Sequence, residues 1–231
     1  MRILIMAALL PPLFYSYCCP ASGIQVGRTR IIFDANKKEV ALALTNTDTQ
    51  LPWLIQSWTD TGDEKTRGPF IVTPPLFRLD AQKEQSLRIS WNGTPLPENK
   101  ESLFYMNVRT IPATAKEDES KNVLRLIYKT RIKLFWRPKK INGTPIESCK
   151  QLQFTRSGNQ LQVTNNNAFY TVFDSLRLGA VSLPKADMVA PFSTATFPLP
   201  GQANGNQVSW HCITDYGNAS QQYSAPLSKR G

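Results

Sequence analysis

The chain has 231 residues, of which 41% are hydrophobic and 19% charged, and its formal net charge is +10. This composition excludes a disordered chain, because each half contains enough apolar side chains to build a core. The length allows one large domain or two small ones. The positive charge is compatible with nucleic acid, with a partner that carries carboxylates, or with a contribution to solubility alone.

The first 22 residues have the pattern of a secretory signal peptide. Arg2 supplies the positive end, an apolar run occupies 3–14, and small residues near 21–23 predict the cleavage site. Adjacent cysteines, Cys18 and Cys19, leave lipid attachment as an alternative, which their neighbours disfavour. Export disfavours nucleic acid as the partner, so we expect none.

Residues 24–137 predict seven short β-strands, rich in Val, Ile, Thr and aromatic residues and separated by turn residues. The segment EVALALTN (39–46) alternates between apolar and more polar positions, as a half-buried antiparallel strand does. Pro74 and Pro75 restrict their segment to a sheet edge or to a strand that changes sheets. Seven such strands fit one immunoglobulin-like β-sandwich, so the fold class is all-β.

The last predicted strand, VLRLIYKTRIKLFWRP (123–138), has two different faces. One face begins with apolar residues and the other carries cations: Leu124, Leu126 and Tyr128 against Lys129, Arg131 and Lys133. At the edge of a sheet, such a strand could pair with another chain. The cations are then either gatekeepers that keep the edge from aggregating or part of a binding strand, and the pattern alone leaves both readings open.

The composition changes after Trp136. The stretch RPKKINGTP (137–145) contains two prolines, a glycine and several polar residues, which predicts a linker. A second segment rich in strands follows. We therefore expect two immunoglobulin-like domains, at 23–138 and 139–231, after a signal peptide at 1–22.

Two cysteines, Cys149 and Cys212, remain once the signal peptide is removed. An even pair in an exported chain predicts a disulfide, and the alternative is two free, buried thiols. A bridge would help the second domain, which is small for an independent core.

No catalytic or metal-binding pattern is present. The single histidine, His211, has no glycine-flanked serine to form a hydrolase triad, and we expect it to be structural. One histidine and two cysteines lack the spacing of a metal site, and no glycine-rich phosphate loop occurs. The sequence thus predicts neither an enzyme nor a cofactor, and a secreted hydrolase is disfavoured.

Six segments carry a resemblance that extends through nearly the whole exported chain. They are RTRIIFD (28–34), ALTNTDTQLPWLIQSW (43–58), FIVTPPLFRLD (70–80), ESLFYMNVRTIP (101–112), KNVLRLIYKTRIKLFWRP (121–138) and ITDYGN (213–218). In this order they resemble the periplasmic chaperones of the chaperone–usher pilus pathway, the PapD- and FimC-like family. The resemblance implies a boomerang of two immunoglobulin-like domains in the periplasm. It also implies an assembly chaperone that stabilises and caps pilin subunits and delivers them to an outer-membrane usher.

The resemblance implies a role for three sets of residues. Leu124, Leu126 and Tyr128 would belong to a strand donated to the subunit and would fill its groove. Arg30 and Lys133 match the two cations that anchor the subunit's terminal carboxylate. A further set matches the family's ion network between domains: Glu101, Arg137 and Asp215.

Some features differ from the family pattern or place the chain within it. NNNAFY (165–170) lacks the proline that the family often has there, and Tyr128 stands where aliphatic residues are common. The loop before the donor strand is short, which resembles the subfamily that serves rod-like pili.

An alternative function is an exported immunoglobulin-like adhesion or carbohydrate-binding module, which would bind through its loop tips. The sequence leaves open whether the free protein caps itself as a dimer.

Overall fold

The computed structural model describes residues 23–113, 124, 126–201 and 203–228. The signal peptide, its cleavage site and the lipid-attachment alternative at Cys18 and Cys19 lie outside these residues. The all-β prediction is confirmed, since the described chain forms seventeen strands and one short helix. In this part of the chain no helix is long and apolar enough to cross a membrane.

Nine strands form the first sandwich. They are β1 (Ile24–Val26), β2 (Arg30–Asp34), β3 (Glu39–Asn46), β4 (Trp53–Asp60), β5 (Phe70–Thr73), β6 (Leu76–Leu79), β7 (Glu84–Trp91), β8 (Ser102–Pro112) and β9 (Tyr128–Arg137). One sheet has the order β1-β3-β7-β5, and the other has the order β2-β9-β8-β4-β6. The core between them consists of alternate strand residues, among them Ile31, Phe33, Leu42, Ile55, Leu87, Met106 and Leu134.

The chain changes sheets at two points in this sandwich. The proline pair at 74–75 separates β5 from β6, which lie in different sheets, as the strand-switch reading predicts. The segment IQVGRTRIIFDA, expected as one strand, is also divided, and that expectation is wrong. Gly27 donates its backbone N–H to the Ala43 carbonyl at 2.9 Å, which carries β1 along β3 before β2 crosses to pair with β9.

Strand β9 begins later than the sequence predicts. We expected it from Val123, which lies outside the described residues, and in the described chain the ladder with β8 begins at Tyr128, opposite Thr110. The next two residues of β8, Ile111 and Pro112, pair with β4 on the other side. Because proline has no N–H to donate, β8 offers little further support to a longer β9.

The second sandwich follows a stretch without strands at 138–144. Its strands are β10 (Gln153–Ser157), β11 (Gln160–Asn165), β12 (Thr171–Leu178), β13 (Val181–Ser182), β14 (Met188–Val189), β15 (Ser193–Pro198), β16 (Gln207–Cys212) and β17 (Tyr223–Pro226). One sheet has the order β10-β11-β15, and the other has the order β13-β12-β16-β17, with β14 also paired to β12.

A short helix, α1 (Pro145–Lys150), precedes these strands and was not predicted. The Thr144 hydroxyl accepts a hydrogen bond from the Glu147 N–H and caps its first turn. The helix places Cys149 against β16, where it forms the predicted disulfide with Cys212. Both cysteines are buried in the second core, beside Trp210, whose ring N–H donates to the Cys149 carbonyl at 2.9 Å.

Candidate functional site

The two halves of β9 have different neighbours. The far half, 133–137, lies between β8 and β2, and β2 runs parallel to it from Arg30 opposite Lys133. The near half, 128–132, pairs with β8 alone. Among the described residues no strand covers its other edge, so this edge presents backbone N–H and C=O groups that can pair with an added strand.

One face of β9 points into the first sandwich. Leu134 and Trp136 are buried in its core, and Ile132 packs against them. Tyr128 shares this face by alternation but is 55% exposed, and Leu126, which precedes the strand, is 52% exposed. Leu124 is 88% exposed. The apolar row therefore continues from the core to the open edge without a partner in the described chain.

The cations of β9 lie on the opposite, outer face, and each has an acidic partner. Lys129 pairs with Glu64, Arg131 with Asp60 at 2.8 Å, and Lys133 with Asp187 at 2.7 Å. These ion pairs fix the cations to the outer face of the sheet.

The contact between Arg131 and Asp60 is the best enclosed of these three pairs. Asp60 is almost fully buried, and it also accepts a hydrogen bond from the Asn107 amide at 2.6 Å. Burial by itself would raise the pKa of Asp60, but hydrogen bonds from Arg131 and Asn107 outweigh it and lower that pKa. The Arg131 guanidinium also stacks 3.6 Å from the centre of the Tyr105 ring.

Arg30 and Lys133 are brought together by the parallel ladder, in which they are direct partners. Arg30 is only 8% exposed, and its Nη1 donates to the Ile213 carbonyl of the second sandwich at 3.1 Å. Its Nε is buried and has no hydrogen-bond partner among the described residues. Burial lowers the pKa of Arg30, while the charges of Asp215, Asp187 and Glu101 oppose that effect. Arg30 is thus a buried cation with unused donor capacity.

A cluster of three ionisable side chains joins the two sandwiches. Arg137, at the end of β9, donates from Nε to Glu101 at 2.8 Å and from both terminal nitrogens to Asp215 at 2.7 and 2.9 Å. Glu101 is 3% exposed and also accepts the backbone N–H of Tyr170 at 2.9 Å. Burial raises the pKa of Glu101, and Arg137 opposes that rise. The structure therefore brings together all three residues of the expected ion network.

An open cavity of about 320 Å³ lies between the sandwiches beside this cluster. Charged groups line one part of it and apolar or aromatic side chains line the rest: Arg30, Glu101, Arg137 and Asp215, with Phe135, Ile146, Tyr170 and Val172. The arrangement combines a strand edge that can accept a partner strand with a buried arginine at the end of that edge. It can hold an extended chain that ends in an anion.

Two participants were not found from the sequence. Asp187 precedes β14 in the second sandwich and reaches Lys133 across the cleft. Tyr170 uses only its backbone N–H to hold Glu101, so its side-chain type carries no signal of that role. No sequence pattern identifies Asp187, because its partner is 54 residues away in another domain.

Comparison with known protein families shows the family to which this chain belongs. Residues 23–142 match the family model described as "Pili and flagellar-assembly chaperone, PapD N-terminal domain". Residues 147–224 match the model described as "Pili assembly chaperone PapD, C-terminal domain". The chain belongs to the PapD family of pili assembly chaperones. The resemblance seen in the sequence is thereby confirmed, as are its two immunoglobulin-like sandwiches.

Individual relatives of this family cover most of the chain. The "Probable fimbrial chaperone LpfB" of Escherichia coli O157:H7 is 38% identical over 216 residues, which is 93% of each chain. The "Chaperone protein FimC" of Escherichia coli strain K12 is 40% identical over 197 residues, covering 85% of this chain and 81% of FimC. A solved complex of the Salmonella enterica SafA pilin with the SafB chaperone matches with a TM-score of 0.82 and 29% identity, over 90% of this chain and 98% of that one.

Proposed function

We propose that this protein is a periplasmic, non-enzymatic chaperone that binds pilin subunits by adding its own β-strand to them. The observation that carries the proposal is the near half of β9, which is paired on one side only and continues into exposed Leu126 and Leu124. Hydrogen bonds along the open edge give affinity, and the apolar residues on one face give register. Leu124, Leu126 and Tyr128 occupy the subunit's groove.

Arg30 and Lys133 anchor the terminal carboxylate of the subunit. Support comes from their direct pairing in the ladder, from the unpartnered Nε of Arg30, and from the cavity on which Arg30 lies. A carboxylate can accept charge-assisted hydrogen bonds from both cations. The anchor sets where the subunit strand begins. Glu101, Arg137 and Asp215 act differently, since they hold the two domains in the orientation that builds this cleft.

The remaining parts of the proposal rest on the family. The chaperone domain occupies 23–138 and the second domain 139–231, after removal of the signal peptide at 1–22. Loaded subunits pass to an outer-membrane usher, and the open edge of the free protein can accept a second copy of the chain. We assign no catalysis to the chain. This agrees with a structural role for His211, whose Nδ1 lies 2.9 Å from the Ser220 carbonyl oxygen.

Co-expression with a pilin and recovery of the complex from the periplasm tests the proposal. Leu126→Asp places a charge in an apolar groove, and we expect it to abolish recovery while the chaperone stays folded. Ile127→Asp is the matched control, because Ile127 is similarly exposed but belongs to the opposite face by alternation. Recovery with Ile127→Asp should persist. Equal loss with both variants would contradict the assignment of the faces.

The anchor is tested separately with Lys133→Ala, which removes one cation from a side chain that is 22% exposed. Capture of subunits should be lost with little change in thermal stability. Arg30 is less suitable for this test, because its buried contact with Ile213 also supports the domain junction. If Lys133→Ala captures subunits as well as wild type does, the anchor assignment is wrong. The proposal of strand addition would not be affected by that result.

A further inference from the structure

The ion pair between Lys133 and Asp187 occupies one of the two cations that the proposed function assigns to the subunit carboxylate. Lys133 belongs to the first sandwich, and Asp187 belongs to the second. Their Nζ and Oδ1 atoms are 2.7 Å apart. An incoming carboxylate would therefore meet a lysine that already holds a carboxylate.

The backbone holds Asp187 in place for this contact. Its carbonyl accepts the N–H of Phe173 at 2.8 Å, just before β14 pairs with β12. The preceding turn is also fixed, since the Ala186 N–H donates to the Leu183 carbonyl at 3.1 Å. The Asp187 side chain, in contrast, is 60% exposed and can turn into solvent. The backbone of Asp187 is thus fixed, while its side-chain carboxylate can be released from Lys133.

The second cation has no such partner. Arg30 donates to a backbone carbonyl, and its Nε is unpaired among the described residues. A negative group between Arg30 and Lys133 would reduce the repulsion of these neighbouring cations, and Asp187 makes its direct contact with Lys133. A ligand that contacts both cations therefore forms more electrostatic contacts than it breaks. A ligand that contacts Lys133 alone only replaces the contact that Asp187 already makes.

We propose that Asp187 is an internal competitor that mimics the subunit's terminal carboxylate and must be displaced when a subunit is captured. This inference rests on the proposed function and adds a regulation of its anchor. In the free protein, Asp187 neutralises Lys133 and links the two sandwiches. On capture, the carboxylate of the subunit takes over Lys133 and breaks that link. Because Asp187 must be displaced, an anion that contacts Lys133 weakly or alone binds poorly. A ligand that also contacts Arg30 is favoured.

The test uses the full exported chain and a short synthetic β-strand peptide with alternating apolar residues, prepared with a free C-terminal carboxylate or as the amide. Asp187→Asn should lower the Kd of the carboxylate peptide by about two- to fivefold, the range expected when an exposed ion pair no longer competes. The Kd of the amidated peptide should stay unchanged. Asp174→Asn is the matched control, because it removes the same charge from an exposed position of the same domain.

The outcomes separate this inference from the proposed function. If wild-type protein prefers the carboxylate peptide but Asp187→Asn binds it equally or more weakly, the competitor role is wrong and the anchor stands. If wild-type protein binds both peptides equally, the anchor itself fails, and the competitor role fails with it. If Asp174→Asn matches the gain of Asp187→Asn, the effect is one of net charge, and the inference is again wrong. A shift of the Asp187 carboxyl carbon resonance on adding the carboxylate peptide, absent with the amide, would support displacement directly.

Discussion

The near and far halves of β9 belong to one continuous strand but are held in different ways. The far half has a ladder on each side and buries Leu134 and Trp136 in the core. The near half has one ladder and exposed apolar residues, and its outward cations are paired on the outer face. One strand can therefore be anchored in the core at one end and keep an open edge at the other, where a ladder on one side and ion pairs along the outer face hold it.

This comparison is tested most strongly in the far half. Leu134→Ala should lower the free energy of unfolding by about 3 to 5 kcal/mol, because it opens a cavity at a fully buried position. Tyr128→Ala, in the near half, should cost less than about 1 kcal/mol in the free chaperone. Urea denaturation of both variants measures the difference. Similar costs would show that the halves are not held differently.

The end of the far half joins the domains, and Arg137→Ala should destabilise the protein by about 3 kcal/mol. The change leaves Glu101, which is 3% exposed, without its cation. A double variant that also carries Glu101→Gln should recover part of the loss, because a neutral amide is less costly to bury than an unpaired carboxylate. Denaturation of the two single variants and the double variant measures the coupling. Strictly additive losses would contradict it.

The outer face of the near half depends on Asp60, and Asp60→Asn should cost about 2 kcal/mol at neutral pH. The folded pKa of Asp60 lies below its ordinary value, so the unfolded chain binds the proton first as the pH falls. Its contribution is therefore complete above pH of about 4 and is lost as the pH falls through the folded pKa. The difference in the free energy of unfolding between wild type and Asp60→Asn, measured by denaturation at several pH values, should become smaller in acid. A difference that stays constant from neutral pH into that acid range would be inconsistent with this role.

The smallest effect is expected at Lys129, whose ion pair with Glu64 is partly exposed. Lys129→Ser should change the free energy of unfolding by less than about 0.5 kcal/mol, and added salt should remove most of that difference. Subunit capture should be largely kept. A strong loss of capture would mean that the outer face also contacts the subunit and would blur the division between the two faces of β9.

The alternation of β9 could be predicted because period-two patterning follows directly from extended backbone geometry. The disulfide followed from the count of cysteines that lie outside the predicted signal peptide, Cys149 and Cys212. The charged network needed the family resemblance, since nothing local relates Arg137 to Asp215, which is 78 residues away. In each case the prediction depended on a repeat, a count or a known motif.

Other features depend on partners that the local sequence does not specify. The start of β9 is set by where its ladder with β8 begins, opposite Thr110, and the division of the first predicted strand is set by which sheet offers each piece a partner. Asp187 was missed for a related reason, because an ion pair between domains leaves no spacing to detect. Tertiary pairing decides these features, and propensity does not.

The parallel ladder between β2 and β9 also constrains the order of folding. It joins nearly the first strand of the sandwich to the last, so β2 has no partner in its sheet until β9 has been made. Closing so long a loop costs chain entropy before the ladder forms, which slows the folding of such topologies. The folding chain therefore carries an unpaired, β-prone segment at β2 until the last strand of this domain has been made.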